Sequence, residues 1–406
     1  MRRVIPRSLG DDVRIAFVGF SSDLDGTPTS GEMIVSGLLN RGWDVDAYFG
    51  FDGPYVERLK RCGCSVAVVP HSSWLRHSVW WRFVRSLWEE RRRSIDFECE
   101  FKRTRPDIVY VNSLVSYAAA RAAHRLGIPL VWHMRELFSD ERGEMVCPSL
   151  FAKRLVSQTV SNLATRVVAN SLAVGTNIFG EGSNVAVEIV PNAISEAFFQ
   201  ARGDRLVSRQ PFNLPESGPI VGLPGTLRPV KGHHFLFKAI PSILERVPDC
   251  LFAVTGAIDS QFARDIVKQI QEGPLAGRVL FTGRINDMVP FYHACDVCCV
   301  PSLSESFGRA AIECFATRTP VVVTSVGGLK EIVRDGSNGL LVQYGDEMAL
   351  ADAIVSLLTD SQRANGLVEQ AVLEAKERYT ESVYFERIAT VIDEALALSK
   401  SHSEKS

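Results

Sequence analysis

No stretch of this chain approaches the roughly 18 consecutive apolar residues that a membrane-spanning helix requires. Neither charge sign dominates: 45 Lys and Arg stand against 47 Asp and Glu, a formal charge of -2 over 406 residues. The basic excess with which a protein grips nucleic acid through its overall field is therefore missing, and nucleic acid is not an expected partner. Low-complexity tracts, a collagen-like period and a convincing internal repeat are also absent. Apolar residues at 46% and charged residues at 23% are ordinary for a globular protein. Met1, Arg2 and Arg3 open the chain with positive charge, but no apolar signal core and cleavage site follow. Cysteines number nine, an odd count scattered over the whole length. Free thiols in a reducing compartment fit that pattern better than a disulfide framework, so a cytoplasmic location is expected. The length suffices for two or three domains, each with a core of its own.

Short apolar runs of strand length fill residues 15–20, 44–49, 66–69, 107–111, 129–132 and 167–169. Between several of them lie stretches of 3.6-residue periodicity, such as 29–41 and 113–126. Continuous apolar strands alternating with helices predict a parallel sheet covered on both faces. Residues 200–217 are polar with two prolines, the composition of a linker. A second series of runs follows at 220–223, 251–255, 279–282, 297–300, 321–324 and 340–342. The expected fold is α/β, two doubly wound Rossmann-like domains facing each other across a cleft. The first would occupy 1–199 and the second 218–379. A helix over 380–406 would cross back to the first domain and end in a polar tail. Ligands of such sheets bind outside the carboxyl ends of the strands.

The densest chemical signal runs from Pro301 to Pro320. A strand ends at Pro301, a small-residue loop holds Glu305 and Gly308, and a helix then begins. Unpaired amides at a helix start, with the positive end of its dipole, suit a phosphate. Glu305 and Glu313 are spaced so that each can accept from a separate hydroxyl of one ligand. A capping Glu305 with a solvated Glu313 fits the spacing equally well. Gly225-Thr226-Leu227-Arg228-Pro229-Val230-Lys231-Gly232 is a second strand-to-helix loop, and it carries two cations. Arginine binds phosphate bidentately and lysine as a point charge. A surface turn with solvated charges is the alternative. Ser325-Val326-Gly327-Gly328-Leu329-Lys330-Glu331 is a third such loop, open either to a ligand or to close packing.

These motifs resemble the C-terminal domain of glycosyltransferase family 4: Glu305-Ser306-Phe307-Gly308, Glu313, Pro320-Val321-Val322, Gly327-Gly328, Glu331 and Gly339-Leu340-Leu341-Val342. The resemblance covers nearly the whole chain, densely from Gly225 to Leu358 and more loosely before Ser171. It implies the GT-B fold and transfer of a sugar from a nucleotide-sugar donor with retained anomeric configuration, needing neither cofactor nor metal. The acceptor would be a glycan, a lipid-linked sugar or a small molecule. Glu305 and Glu313 match the family's Glu-x7-Glu pair, Glu305 meeting the donor sugar and Glu313 the ribose. The amides of Ser306, Phe307 and Gly308 would face sugar and diphosphate. Lys231 matches the phosphate-binding lysine. Where the family usually has arginine after the loop glycine, this chain has Thr226, and Arg228 lies two residues on. Two other readings stand beside transfer: a sugar-nucleotide epimerase of the same fold, and a non-catalytic relative that binds a nucleotide-sugar.

In the first half, residues 21–31 follow the first strand, with Gly26 and Gly31 in place of the usual paired glycines and Pro28 between them. A contact with donor or acceptor and a plain turn fit this loop equally. Val131-Trp132-His133-Met134-Arg135-Glu136 follows another strand; by resemblance His133 is the cleft histidine, a catalytic candidate with Lys231, Arg228 and Glu305. Arg135 and Glu136 would pair with each other or line the cleft, and Asn112 ends a further strand. Pro191-Asn192-Ala193-Ile194 resembles the segment before the family's hinge. Residues 71–93 mix Trp74, Trp80, Trp81 and Trp88 with Arg76, Arg82, Arg85, Arg91, Arg92 and Arg93. As a helix, Trp80, Trp81, Val84, Leu87 and Trp88 would share one face, with Arg82, Arg85 and Ser86 opposite. An interfacial helix on an anionic membrane surface has this composition; so does a helix packed on its own domain with a solvated arginine face. Cys295-Asp296-Val297-Cys298-Cys299 has no second pair at zinc spacing and reads as core strand. No metal site is expected.

Overall fold

Runs rich in valine, isoleucine and phenylalanine become strands because both sheet faces are covered and each side chain finds apolar neighbours. A computed structural model of the chain describes residues 13–20, 26–75, 80–139, 145–146, 150–200 and 203–403. Its strands, in chain order, are β1 (Arg14–Val18), β2 (Asp44–Phe49), β3 (Ser65–Val68), β4 (Ile108–Asn112), β5 (Leu130–Met134), β6 (Phe138–Ser139), β7 (Met145–Val146), β8 (Arg166–Ala169) and β9 (Val187–Ile189). They continue as β10 (Ile220–Leu223), β11 (Leu251–Thr255), β12 (Val279–Gly283), β13 (Val297–Val300), β14 (Val321–Thr324) and β15 (Leu340–Val342).

Among the described residues these form a seven-stranded sheet, ordered β3-β2-β1-β4-β5-β8-β9, a six-stranded sheet, ordered β12-β11-β10-β13-β14-β15, and a separate pair, β6-β7. Every pairing in the two larger sheets is parallel. Each order reverses direction once, between β1 and β4 and between β10 and β13. In a doubly wound sheet the connections diverge at such a point and leave a crevice beyond the strand ends. The fold class is the expected one, in duplicate.

The chain divides into two compact units: residues 1–191 with 384–406, and residues 192–383. The stretch that reads as a linker, 200–217, contributes the short helix Arg205–Arg209 to the second unit. Asp204 caps this helix through the amides of Leu206 and Val207. Arg209, buried, donates to Asp296 at 2.9 Å and to the Ala294 carbonyl at 3.1 Å.

The helix Trp80–Thr104 buries Phe83, Ser86, Glu90, Ser94, Phe97, Phe101 and Thr104, its three phenylalanines in the core of the first unit. This corrects the division of faces expected from sequence. Ser86 turns inward and Leu87 is half-buried, whereas Arg85 stands among the exposed tryptophans. The helix is rotated by the apolar positions Phe83, Phe97 and Phe101, the last two of which lie beyond the tryptophan run. Arg76, part of the same expected patch, lies outside the described residues. Cys295, Cys298 and Cys299 are core residues of the second unit, and burial pushes their thiols up. Among the described residues no helix is long and apolar enough to cross a membrane, and no group of His, Cys, Asp and Glu could hold a metal ion.

Candidate functional site

In the second unit the loops that follow β10 and β13 meet at the reversal of the strand order. Gly232, at φ 73°, lies so close to the second loop that an added Cβ would stand 1.8 Å from the Pro301 carbonyl oxygen. The Leu303 amide donates to the Val230 carbonyl at 2.8 Å. The loop after β14 joins them: the Gly328 amide donates to the Glu305 carbonyl at 3.0 Å, and a Cβ on Gly327 would stand 1.9 Å from that oxygen. Thr324, buried at the end of β14, donates its hydroxyl to the Ser302 carbonyl at 2.6 Å. Three short loops are thus held as one surface, and the glycines are there because any side chain would separate them.

This surface brings the sequence candidates together. Lys231 Nζ donates to Glu305 Oε2 at 2.7 Å, and the Ser302 hydroxyl reaches the same oxygen at 3.3 Å. Gly308, at φ 109°, starts the helix Arg309–Ala316, whose first amides lie at the positive end of its dipole. Phe307 is buried beside Tyr379, so only its backbone can face a ligand. Ser306 is half-buried. Glu313, one helical turn further in, accepts from Tyr292 Oη at 2.6 Å and from the Arg309 guanidinium at 2.9 Å. Glu313 is buried, not solvated, and Glu305 pairs with lysine at a helix start that, among the described residues, has no side-chain cap. Thr226 and Arg228 are exposed, and the described residues offer the Arg228 side chain no ion pair. His233, just after Lys231, is buried, and its pKa is pushed down to about 4, chiefly by burial.

In the first unit the remaining candidates gather at the ends of β4 and β5, next to the other reversal. His133 pairs with Asn112 across the two strands and is wholly buried. Its Nδ1 lies 2.6 Å from Tyr110 Oη and 3.3 Å from an Arg135 nitrogen. Arginine can only donate, so Nδ1 is the acceptor and Nε2 carries the proton. Burial, and then Arg135, hold the ring well below the usual histidine range, so it is neutral. Arg135 also donates to Asn112 Oδ1 at 2.7 Å and to Tyr384 Oη at 2.6 Å. Glu136 does not pair with the Arg135 side chain. Its carboxylate accepts from the Ser113 hydroxyl, from the Leu114 amide at 3.1 Å and from the Arg135 amide at 3.0 Å. Gly26 is the first residue of the helix Gly26–Asn40, and residues 21–25 before it lie outside the described residues.

Two family models match the chain in tandem: a glycosyl transferase 4-like domain over residues 26–193 and glycosyl transferases group 1 over residues 218–360. A D-inositol 3-phosphate glycosyltransferase of Acidothermus cellulolyticus is 31% identical over 307 residues, 72% of this chain and 68% of that protein. The chain belongs to glycosyltransferase family 4. A namesake from Salinispora tropica is 30% identical over 277 residues, 63% of this chain and 57% of that protein. The chain spans from 40% to 63% of the length of four of the curated relatives it matches. Among solved structures, Anabaena HepE in complex with UDP and glucose superposes with a TM-score of 0.79 at 22% identity, covering 93% of this chain and 99% of that one. Sucrose-phosphate synthase from Thermosynechococcus elongatus gives 0.74 at 20% identity, covering 95% and 100%. The fold is therefore GT-B.

The structure adds residues to this family-4 chain that sequence reasoning passed over. Ser302, Tyr292, Arg309 and Thr324 hold the two glutamates or their loop. Tyr110 and Tyr384 hold His133 and Arg135. Of these only Arg309 was open to detection, since it stands four residues before Glu313 on a helix. The others meet their partners only through tertiary folding.

Proposed function

We propose that this protein transfers a sugar from a nucleoside-diphosphate sugar to a hydroxyl acceptor with retention of anomeric configuration. One observation carries the reading: Lys231, Glu305 and a helix start stand together on one glycine-built surface at the strand-order reversal of the second unit. A diphosphate there finds a lysine, a second cation in Arg228 and the positive end of a helix dipole. Glu305 then turns to the sugar hydroxyls and Glu313 to the ribose. The UDP-glucose complex of Anabaena HepE supports a donor of this class. The acceptor belongs with the first unit, where Asn112, Arg135 and Glu136 gather. His133, being buried and neutral, orients Arg135 instead of touching substrate.

In the transfer the bond from the anomeric carbon to the phosphate oxygen breaks, and the acceptor oxygen bonds to that carbon. The acceptor proton passes to the leaving phosphate. The protein's task is to stabilise charge developing on the diphosphate, and a preorganised donor of this kind lowers the barrier by about 2.7–4 kcal/mol. Lys231→Ala is accordingly expected to lower kcat/KM by about 10²–10³-fold. Because side chains and amides carry the charge, a chelator should leave turnover unchanged. The test is incubation with nucleotide-sugars and candidate acceptors, with NMR assignment of the product. A product of inverted configuration, or interconversion of the donor with no acceptor present, would remove this reading.

A further inference from the structure

The transfer reaction makes no use of the outward face of the helix Trp80–Thr104. Opposite its buried side stand Trp81, Val84, Trp88 and Ile95, which are 59%, 45%, 56% and 55% exposed. Their spacing of three, four and seven residues puts them in one stripe. Trp80 flanks the stripe, and its ring centroid lies 5.4 Å from that of Phe151, itself 65% exposed, on the helix Leu150–Leu163. Arginines are interleaved. The Arg92 guanidinium lies 4.8 Å from the Trp88 ring centroid, and that of Arg82 5.1 Å from the Trp81 centroid. Folding leaves these large apolar side chains in water although the same helix buries seven other residues.

We infer that this face seats the protein on an anionic membrane surface, with the tryptophans at the headgroup level and the arginines on lipid phosphates. Tryptophan is the side chain that prefers that level, and arginine keeps its head at the phosphates while its stem lies along apolar surface. The charge is of the right sign and is local. From Trp80 to Arg93 there are five arginines against two glutamates, in a chain whose formal charge is -2. Arg85 is paired with Glu89, and Arg93 with the buried Glu90, which leaves Arg82, Arg91 and Arg92 as the surplus. That surplus decides against a second copy of the chain, because a two-fold contact would bring the arginines of both copies together. It decides against nucleic acid as well: Arg82 and Arg92 already cover one face of the rings on which bases would stack, and Val84, Ile95 and Phe151 need hydrocarbon.

The test uses the full chain and vesicles of phosphatidylcholine, alone or equimolar with phosphatidylglycerol, and no sugar donor. Its failure would therefore leave the transfer reading standing. Expected are co-flotation with the anionic vesicles only and a blue shift of tryptophan emission. High salt, which shortens screening to about 3 Å at 1 M, should weaken binding. The double variant Trp81→Ser, Trp88→Ser should bind about tenfold more weakly or less with an unchanged melting temperature, since both side chains are exposed. Arg82→Gln and Arg92→Gln should each weaken it about fivefold. Equal binding to neutral vesicles, or none to either, would overturn the inference. So would a dimer or an oligonucleotide complex that the tryptophan variant abolishes.

Discussion

Gly232 carries more of the site than any charged residue, because without it the loops bearing Lys231 and Glu305 cannot meet. Gly232→Ala would place a Cβ 1.8 Å from the Pro301 carbonyl at a left-handed φ of 73°. Overpacking and the left-handed conformation together should cost about 2–4 kcal/mol, read as a lowered midpoint in urea unfolding. A variant of wild-type stability would mean that the loops are not in contact. At this scale the sequence was legible where a residue acts alone. Lys231, Glu305 and Glu313 are recognisable from motif and spacing. That Lys231 and Glu305 pair with each other, and that Tyr292 holds Glu313, depends on contacts across 74 and 21 residues, for which a one-dimensional pattern carries no signal. His133 shows the reverse: it ends a strand as expected, yet strand and neighbours bury it.

At the scale of elements, the helix Glu381–Ser403 binds the chain's end to the first unit. Tyr384, Ile388, Ile392 and Ala395 are buried along it. Asp393 accepts from Arg41 at 2.8 Å, and Glu394 pairs with Arg166 at 3.1 Å. Tyr384 is also the residue at which the chain re-enters that unit. Tyr384→Phe removes a buried hydrogen bond to the Arg135 guanidinium and should cost about 1.5–3 kcal/mol in denaturant unfolding. No change in the midpoint would show that Arg135 does not depend on the helix. Central strands are legible because burial on both faces makes them continuous apolar runs. The edge strand β9 escaped the reading, since it has three residues and its Glu188 is exposed. Residues 200–217 read as linker because polar composition and proline conceal Arg209, whose burial is set by Asp296 from far along the chain.

For the whole molecule, buried neutral histidines set the response to acid. His233 falls to about 4, and His133 and His71 are also lowered, burial leading in each case. The unfolded chain takes up these protons near pH 6.5 and the native one only at lower pH, so stability is lost as pH falls from about 6.5 toward 4. For His233 alone the loss at pH 5 is about 2 kcal/mol. Unfolding of His233→Gln at pH 7 and pH 5 should show a correspondingly smaller loss, whereas an unchanged pH dependence would place that histidine in water. The proposed transfer requires a nucleotide-sugar diphosphate held by Lys231 and the neighbouring amides of the second unit. Thermal unfolding with UDP-, GDP- and ADP-sugars examines this directly, because a ligand at a hundredfold excess over Kd stabilises the native state by about 2.7 kcal/mol. One donor class should raise the wild-type midpoint and leave Lys231→Ala nearly unmoved. Equal shifts in both proteins, or none with any donor, would contradict it.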